Sequence, residues 1–123
     1  MYTLDTNAII YYLKGDAKTV AIFRDIFNGG VPIYISVITE LELFSFSELS
    51  AKEIENIDNL LKTVMIIPID SRVSRTAGFV RRRYKLKVPD SIIASTSMLT
   101  GTTLITRNID DFKKIPALPL LKI

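Results

Sequence analysis

Residues 1–15 read MYTLDTNAIIYYLKG. Tyr2 to Leu4 is a short run of strand formers that stops at an acid, Asp5. Asn7 to Leu13 then falls into helical spacing, and Gly15 closes it. A strand that passes directly into a helix begins a β–α unit, and the rest of the chain repeats the alternation.

Downstream, Val20, Phe23 and Phe27, with Ile22 and Ile26, predict one apolar helical face, stopped at Gly29-Gly30. Pro32 to Ser36 is a second strand, and Thr39 is expected to open a helix carrying Leu41, Leu43 and Phe44. Ser50 with Glu53 three residues on is a capping-box pattern for a helix whose core face is Ile54, Ile57, Leu60 and Leu61. Val64 to Ile69 is a third strand. Asp70 can cap the next helix, with Val73, Ala77, Val80 and Tyr84 as its inner stripe. Pro89 and Asp90 open a helix through Met98 that Gly101 ends. Thr103 to Thr106 is a fourth strand, Asp110 to Lys114 a short helical turn, and Pro119 to Leu121 a fifth strand. Alternating strands and helices imply parallel pairing with right-handed crossovers. Strands that are apolar throughout need helices on both faces. The expectation is an α/β fold: a three-layer α/β/α sandwich around a mostly parallel sheet of four to five strands, forming a single domain over 1–123.

The 123-residue chain contains neither cysteine nor histidine. Disulfides, thiolate nucleophiles, imidazole bases and the common zinc ligands are thereby excluded. Catalysis would have to rest on carboxylates, hydroxyls, amines or a bound metal. The net charge of +3 and pI of about 9.2 permit an anionic partner. No apolar run approaches the roughly 18 residues of a membrane span. An acid at Asp5 stands where a signal peptide would carry its basic flank, so a cytoplasmic protein is expected.

In open parallel sheets, ligands bind outside the carboxyl ends of the strands. Asp5 ends the first strand, Glu40 and Glu42 follow the second, Asp90 starts the helix before the fourth, and Asp110 and Asp111 follow the fourth. Each acid has an ordinary structural use. Asp5 could cap the first helix, Glu42 could complete a capping box with Thr39, and Asp90, Asp110 and Asp111 suit the first turns of helices. Gathered at one edge, however, they repel one another and call for a positive partner. Without histidine, a hard divalent cation such as Mg²⁺ or Mn²⁺ is the natural one, and it suits phosphodiester hydrolysis.

Four segments carry a resemblance. These are Leu4-Asp5-Thr6-Asn7, Ile35 to Leu43 with its two glutamates, Pro89-Asp90-Ser91-Ile92-Ile93-Ala94, and Leu104-Ile105-Thr106-Arg107-Asn108 followed by Asp111-Phe112. In this order the chain resembles the PIN domain, and within it the VapC-like ribonuclease toxins of type II toxin–antitoxin modules. The resemblance implies an endoribonuclease using Mg²⁺ or Mn²⁺. Carried over by position, Asp5, Glu42 and Asp90 match the first three acids. Glu42 is preferred to Glu40 because it directly precedes Leu43. Asn108 stands where many relatives have an acid, so Asp111 is taken as the fourth, with Asn108 assisting. Thr6, Asn7 and Thr106 are expected to orient the acids. The likeness also implies an RNA substrate, a small antitoxin partner and a homodimer. The helix Ile54 to Leu61 and the group Leu41, Phe44 and Phe46 either meet those protein partners or fill the core.

Arg81, Arg82, Arg83, Lys85 and Lys87 precede Asp90. They suit either a solvated helix end or a phosphate-binding rim, and Arg107 is a further candidate for a phosphate contact. Tyr84 fits core packing better than base stacking. Two other functions compete: a non-catalytic RNA-binding domain of the same fold, and an aspartyl phosphotransfer domain. A receiver wants paired acids after the first strand, and a phosphatase wants a second Asp where Asn7 stands.

Overall fold

The computed structural model describes residues 1–123 and orders its elements as β1 (Tyr2–Leu4), α1 (Thr6–Leu13), α2 (Ala17–Asn28), β2 (Ile33–Ser36), α3 (Val37–Phe44), α4 (Ala51–Leu61), β3 (Met65–Ile67), α5 (Ser71–Tyr84), α6 (Val88–Thr100), β4 (Thr103–Thr106), α7 (Ile109–Phe112) and β5 (Leu120–Lys122). The five strands form one sheet in the order β3-β2-β1-β4-β5, and every pairing is parallel.

The two-residue period of a strand divides the sheet into two faces. Leu4 is in register with Ile105, and both enter a core with Ala8, Ile9, Phe23, Ile26, Ile35, Leu43, Ile57 and Leu60 from α1, α2, β2, α3 and α4. Leu104, one residue earlier, faces the opposite core with Val80 of α5, Ile93 and Ala94 of α6, and Phe112 of α7. This is the expected three-layer sandwich. The edge strands depart from the doubly covered pattern: Met65 and Ile66 of β3 stay exposed, and β5 is only partly buried.

Two of the local capping signals are realised in full. Ser50 accepts from the Glu53 amide at 3.1 Å, and Glu53 returns a bond to the Ser50 amide, a full capping box. Asp70 Oδ1 accepts from the Val73 amide at 2.9 Å. Gly101 ends α6 in the left-handed region at φ 66, a conformation that favours glycine. Helix α3 begins earlier than Thr39. Ser36, the last residue of β2, caps it by accepting from the Ile38 amide at 3.1 Å, so strand passes to helix without a loop.

Helix α6 lies against the sheet through small side chains. Ser91, Ser95, Thr96 and Ser97 are all buried. Three of them bond back onto the preceding turn: Ser91 Oγ to the Lys87 carbonyl, Ser95 Oγ to the Ser91 carbonyl and Thr96 Oγ1 to the Ile92 carbonyl. Ser97 Oγ donates instead to the Thr102 carbonyl at 2.9 Å. Their hydroxyls are therefore satisfied without water. The helix descends to β4 through Gly101 and Thr102, which sets its N-terminus, with Asp90, at the carboxyl edge of the strands.

Candidate active site

Parity continues past the ends of the central strands. The Asp5 amide donates to the Ile105 carbonyl at 3.1 Å, extending the β1–β4 ladder by one step. Asp5 thereby turns to the α6 side of the sheet and is 3% exposed. It occupies the N-cap position of α1, yet its side chain caps nothing. Instead Oδ2 accepts the Thr106 hydroxyl at 2.8 Å. The simple capping role is not realised, and the carboxylate is left for other work.

Burial pushes the Asp5 carboxyl up to about 6. The Thr106 hydrogen bond opposes the rise, and the nearby Asp90 and Glu42 charges add to it. Asp90, half-buried in the first turn of α6, is also raised, chiefly by burial and then by Asp111 and Glu42; Lys87 counters this. The charges of Asp90 and Glu42 thus reach Asp5, and those of Asp111 and Glu42 reach Asp90.

Glu42 does not close a box with Thr39. Its Oε1 accepts the Thr6 hydroxyl at 2.7 Å, and Thr6 Oγ1 also lies 2.9 Å from Thr39 Oγ1. Thr6 thus links the start of α1 to α3. On the other side, the Asn108 amide N–H donates to Thr106 Oγ1 at 2.9 Å, and Asn108 Nδ2 donates to Asp111 Oδ2 at 2.9 Å. The Asn108 bond holds the Asp111 carboxyl below its usual range, helped by Lys114. Asn108 and Asp111 act as one unit, Asn108 serving as the donor that orients the acid.

One anticipated helper, Asn7, and one anticipated phosphate contact, Arg107, are placed differently. Asn7 is exposed and makes no hydrogen bond, so it does not orient Asp5. Arg107 points away from the acids. Its Nη2 pairs with Asp16 Oδ2 at 3.1 Å and approaches Thr19 Oγ1 at 3.4 Å. Its Nε donates to the Ile123 carbonyl at 3.3 Å, and its guanidinium lies 3.8 Å from the Tyr11 ring centroid. The alternation that turns Thr106 toward Asp5 turns Arg107 to the opposite face, so a phosphate contact is replaced by a tether.

The basic stretch divides similarly. Arg81 Nη1 donates to the Leu86 carbonyl at 2.7 Å and braces the α5–α6 turn. Arg82 lies over the Phe79 ring, while Arg83 and Lys85 are exposed. Tyr84 packs against the α6-side core, as its spacing predicts. Lys87 is the cation whose charge reaches both Asp90 and Asp111. Its position three residues before Asp90 was the available signal, and nothing in the spacing separates it from its basic neighbours.

The donors fit a hard cation. They are all oxygen, one carboxylate is buried, and the acids are incompletely neutralised by protein cations. No group of three or more of them stands together closely enough to hold a metal ion as the side chains are placed. Mg²⁺ and related ions bind through one or two carboxylates and keep several waters, so a closed cage is not required.

The strand order and the acids at the carboxyl ends of the strands define a parallel α/β protein with carboxylates along one sheet edge. The PIN domain model matches residues 2–118, and the chain belongs to that family. It is 23% identical over 123 residues to Ribonuclease VapC19 of Mycobacterium tuberculosis, covering 96% of this chain and 97% of that one. It is 29% identical over 128 residues to Ribonuclease VapC2 of Rickettsia felis, covering 98% and 96%. Among solved structures, Rickettsia felis VapBC2 bound to a promoter DNA fragment superposes with a TM-score of 0.85 at 26% identity, covering 99% of this chain and 98% of that chain. A toxin–antitoxin complex from Klebsiella pneumoniae superposes with a TM-score of 0.77 at 30% identity over the whole of both chains.

Proposed function

We propose that this chain is a divalent-cation-dependent endoribonuclease acting as the toxin of a toxin–antitoxin pair. The observation that carries this reading is the buried Asp5, held by Thr106 at the end of β1, its pKa raised by that burial and by the charges of Asp90 and Glu42. A site that concentrates negative charge without histidine has little use except to bind a cation. The names of the similar VapC ribonucleases support RNA as the substrate.

Asp5, Glu42 and Asp90 would hold Mg²⁺ or Mn²⁺, with Asp111 able to assist. The bound ion would supply Lewis-acid stabilisation of the phosphoryl group and activation of water. The chain's own residues orient that site. Thr106 fixes one Asp5 oxygen, Thr6 fixes Glu42, and Asn108 fixes Asp111. Lys87 acts on Asp90 and Asp111, and with the exposed Arg82, Arg83 and Lys85 that precede it in the chain it would draw the RNA backbone toward those acids.

The antitoxin reading draws on exposed apolar surface. Ile57 and Leu60 fill the core, but Leu41, Phe44 and Phe46 remain exposed beside α4. Such a surface suits a protein partner, either the antitoxin or a second copy in a homodimer. No helix is long and apolar enough to cross a membrane.

The test is incubation of purified protein with single-stranded and structured RNA in Mn²⁺, in Mg²⁺ and in EDTA. Cleavage leaving 5′-phosphate and 3′-hydroxyl ends, present with either ion and absent in EDTA and in Asp5→Asn, is expected. RNA that is bound but never cut under any of these conditions would replace the nuclease with a binding domain.

A further inference from the structure

The tripeptide Thr106-Arg107-Asn108 joins three separate parts of the molecule. Thr106 holds Asp5 and Asn108 holds Asp111, both on the acid side of the sheet. Between them, Arg107 reaches to the opposite side and grips the turn between α1 and α2. Its contacts there form a built socket. The Tyr11 ring lies 3.8 Å below the guanidinium, Asp16 Oδ2 pairs with Nη2 at 3.1 Å, and the Ile123 carbonyl takes Nε at 3.3 Å. Asp16 is itself fixed, because the same Oδ2 accepts the Thr19 amide at 3.1 Å and the Thr19 hydroxyl at 2.7 Å as the cap of α2.

Helix α1 is consequently tied to the end of β4 at both of its termini. Its N-cap is tied through the Asp5–Thr106 pair and its last turn through Tyr11 under Arg107, which also pairs with Asp16, the cap of α2. The two ties leave adjacent residues of one extended segment in opposite directions. Thr106 also stays in the ladder, where the Ile123 amide donates to its carbonyl at 3.2 Å. Loss of the second tie therefore relaxes the Arg107–Asn108 backbone beyond it, and movement there pulls on the Thr106 and Asn108 bonds to Asp5 and Asp111.

We propose that Arg107 is a positioning residue, which sets the active-site hydrogen bonds of Thr106 and Asn108 by anchoring their connecting backbone to Tyr11 and Asp16. The proposal rests on the nuclease reading only for its catalytic consequence. Its structural consequence stands without it.

The experiment compares wild type with Arg107→Gln, Arg107→Lys, Asp16→Asn and the Arg107→Gln/Asp16→Asn double variant. In metal-free protein, the amide resonances of Asp5, Thr106, Asn108 and Asp111 are followed by NMR. Mn²⁺ affinity is measured by calorimetry, and cleavage of a short RNA is resolved into kcat and KM. Arg107→Gln is expected to shift the Asp5, Thr106 and Asp111 resonances and weaken Mn²⁺ binding several-fold. It should lower kcat by about ten- to a hundredfold, the scale of a small misplacement, with KM nearly unchanged. Asp16→Asn should do the same more mildly, Arg107→Lys should recover part of each effect, and the double variant should be little worse than Arg107→Gln because the two residues act as one unit. Unmoved Asp5 and Thr106 resonances in Arg107→Gln would overturn the proposal. So would a raised KM with kcat intact and a flatter salt dependence, which would make Arg107 a phosphate ligand instead. If wild type cuts no RNA, the nuclease reading fails, while the resonances and Mn²⁺ affinities still decide the role of Arg107.

Discussion

The Thr106 hydroxyl and Asp5 Oδ2 meet at 2.8 Å although the residues lie 101 positions apart. The meeting follows from strand register. Leu4 pairs with Ile105, so the next step along both strands sets Asp5 beside Thr106 with both side chains on the same face. The bond is the one side-chain hydrogen bond that Asp5 receives, and it favours the charged form of a carboxylate that burial and like charge disfavour.

Thr106→Val tests that pair. Valine keeps the β-branched shape, so the strand should survive, at a cost of about 1 kcal/mol for the Asn108 amide left without its acceptor. Without the hydroxyl, the Asp5 carboxyl should rise above about 6. Removal of a group that orients a ligand typically weakens metal affinity or activity by about 10–100-fold. Calorimetric Mn²⁺ affinity and RNA cleavage rate should both fall on that scale, and Thr106→Ser should restore most of the loss. Wild-type values for both would mean that Asp5 does not need the bond.

Asp5 also sets a pH dependence for the metal-free protein. Its carboxyl ordinarily ionises near 3.8 and in the fold near 6, so the folded state holds the proton more tightly than the unfolded state. Stability from this group is fully present below about pH 4 and is lost as pH rises through about 6. The full span corresponds to about 3 kcal/mol. Asp5→Asn carries no such charge. In EDTA its Tm should exceed that of wild type at pH 7.5, and the advantage should vanish near pH 4. Parallel Tm curves for the two proteins across this range would contradict the burial argument.

Adding a divalent cation should reverse that penalty. An ion bound by Asp5, Glu42 and Asp90 offsets their repulsion and, at a hundred times its Kd, stabilises the fold by about 2.7 kcal/mol. For a domain of this size the Tm should rise by roughly 5 °C or more at pH 7.5. The rise should shrink at pH 5, where protons compete for Asp5. Equal Mn²⁺ shifts in wild type and in Glu42→Gln would place the ion elsewhere.

The architecture was legible because it rests on local patterns. The apolar runs at Ile33–Ser36 and Thr103–Thr106, the Ser50–Glu53 box and the Asp70 cap each act within a few residues, and all formed as expected. The rule that parallel sheets present their loops at one edge is what made Asp5, Glu42, Asp90 and Asp111 candidates. Side-chain partners were less legible because they depend on register between distant segments. Glu42 could be paired with Thr39 from spacing, but its partner across the fold is Thr6, 36 positions away. Arg107 lies beside the site in sequence and across the sheet from it in space, since neighbouring strand residues face opposite ways. Asn7 is adjacent to Thr6 and Asp5, yet it turns outward on the exposed side of α1.

The basic segment before α6 allows a structural arginine to be told from RNA-binding ones. Arg81 Nη1 bonds the Leu86 carbonyl at 2.7 Å and braces the turn in which Lys85 adopts the left-handed conformation, φ 59. Arg82 and Arg83 are exposed and brace nothing of that kind. Arg81→Ala should therefore lower stability by about 1 kcal/mol, the worth of one such bond. Arg82→Ala and Arg83→Ala should leave Tm within a degree or two. RNA binding should sort them the other way. Each phosphate contact contributes roughly 0.7–0.9 to the slope of log affinity against log salt. The Arg82→Ala/Arg83→Ala double variant should then bind more weakly and lose up to about 1.8 of that slope. A wild-type slope in the double variant would show that these two cations meet only solvent, and would leave Lys85 and Lys87 as the cations that guide the phosphate backbone to Asp90.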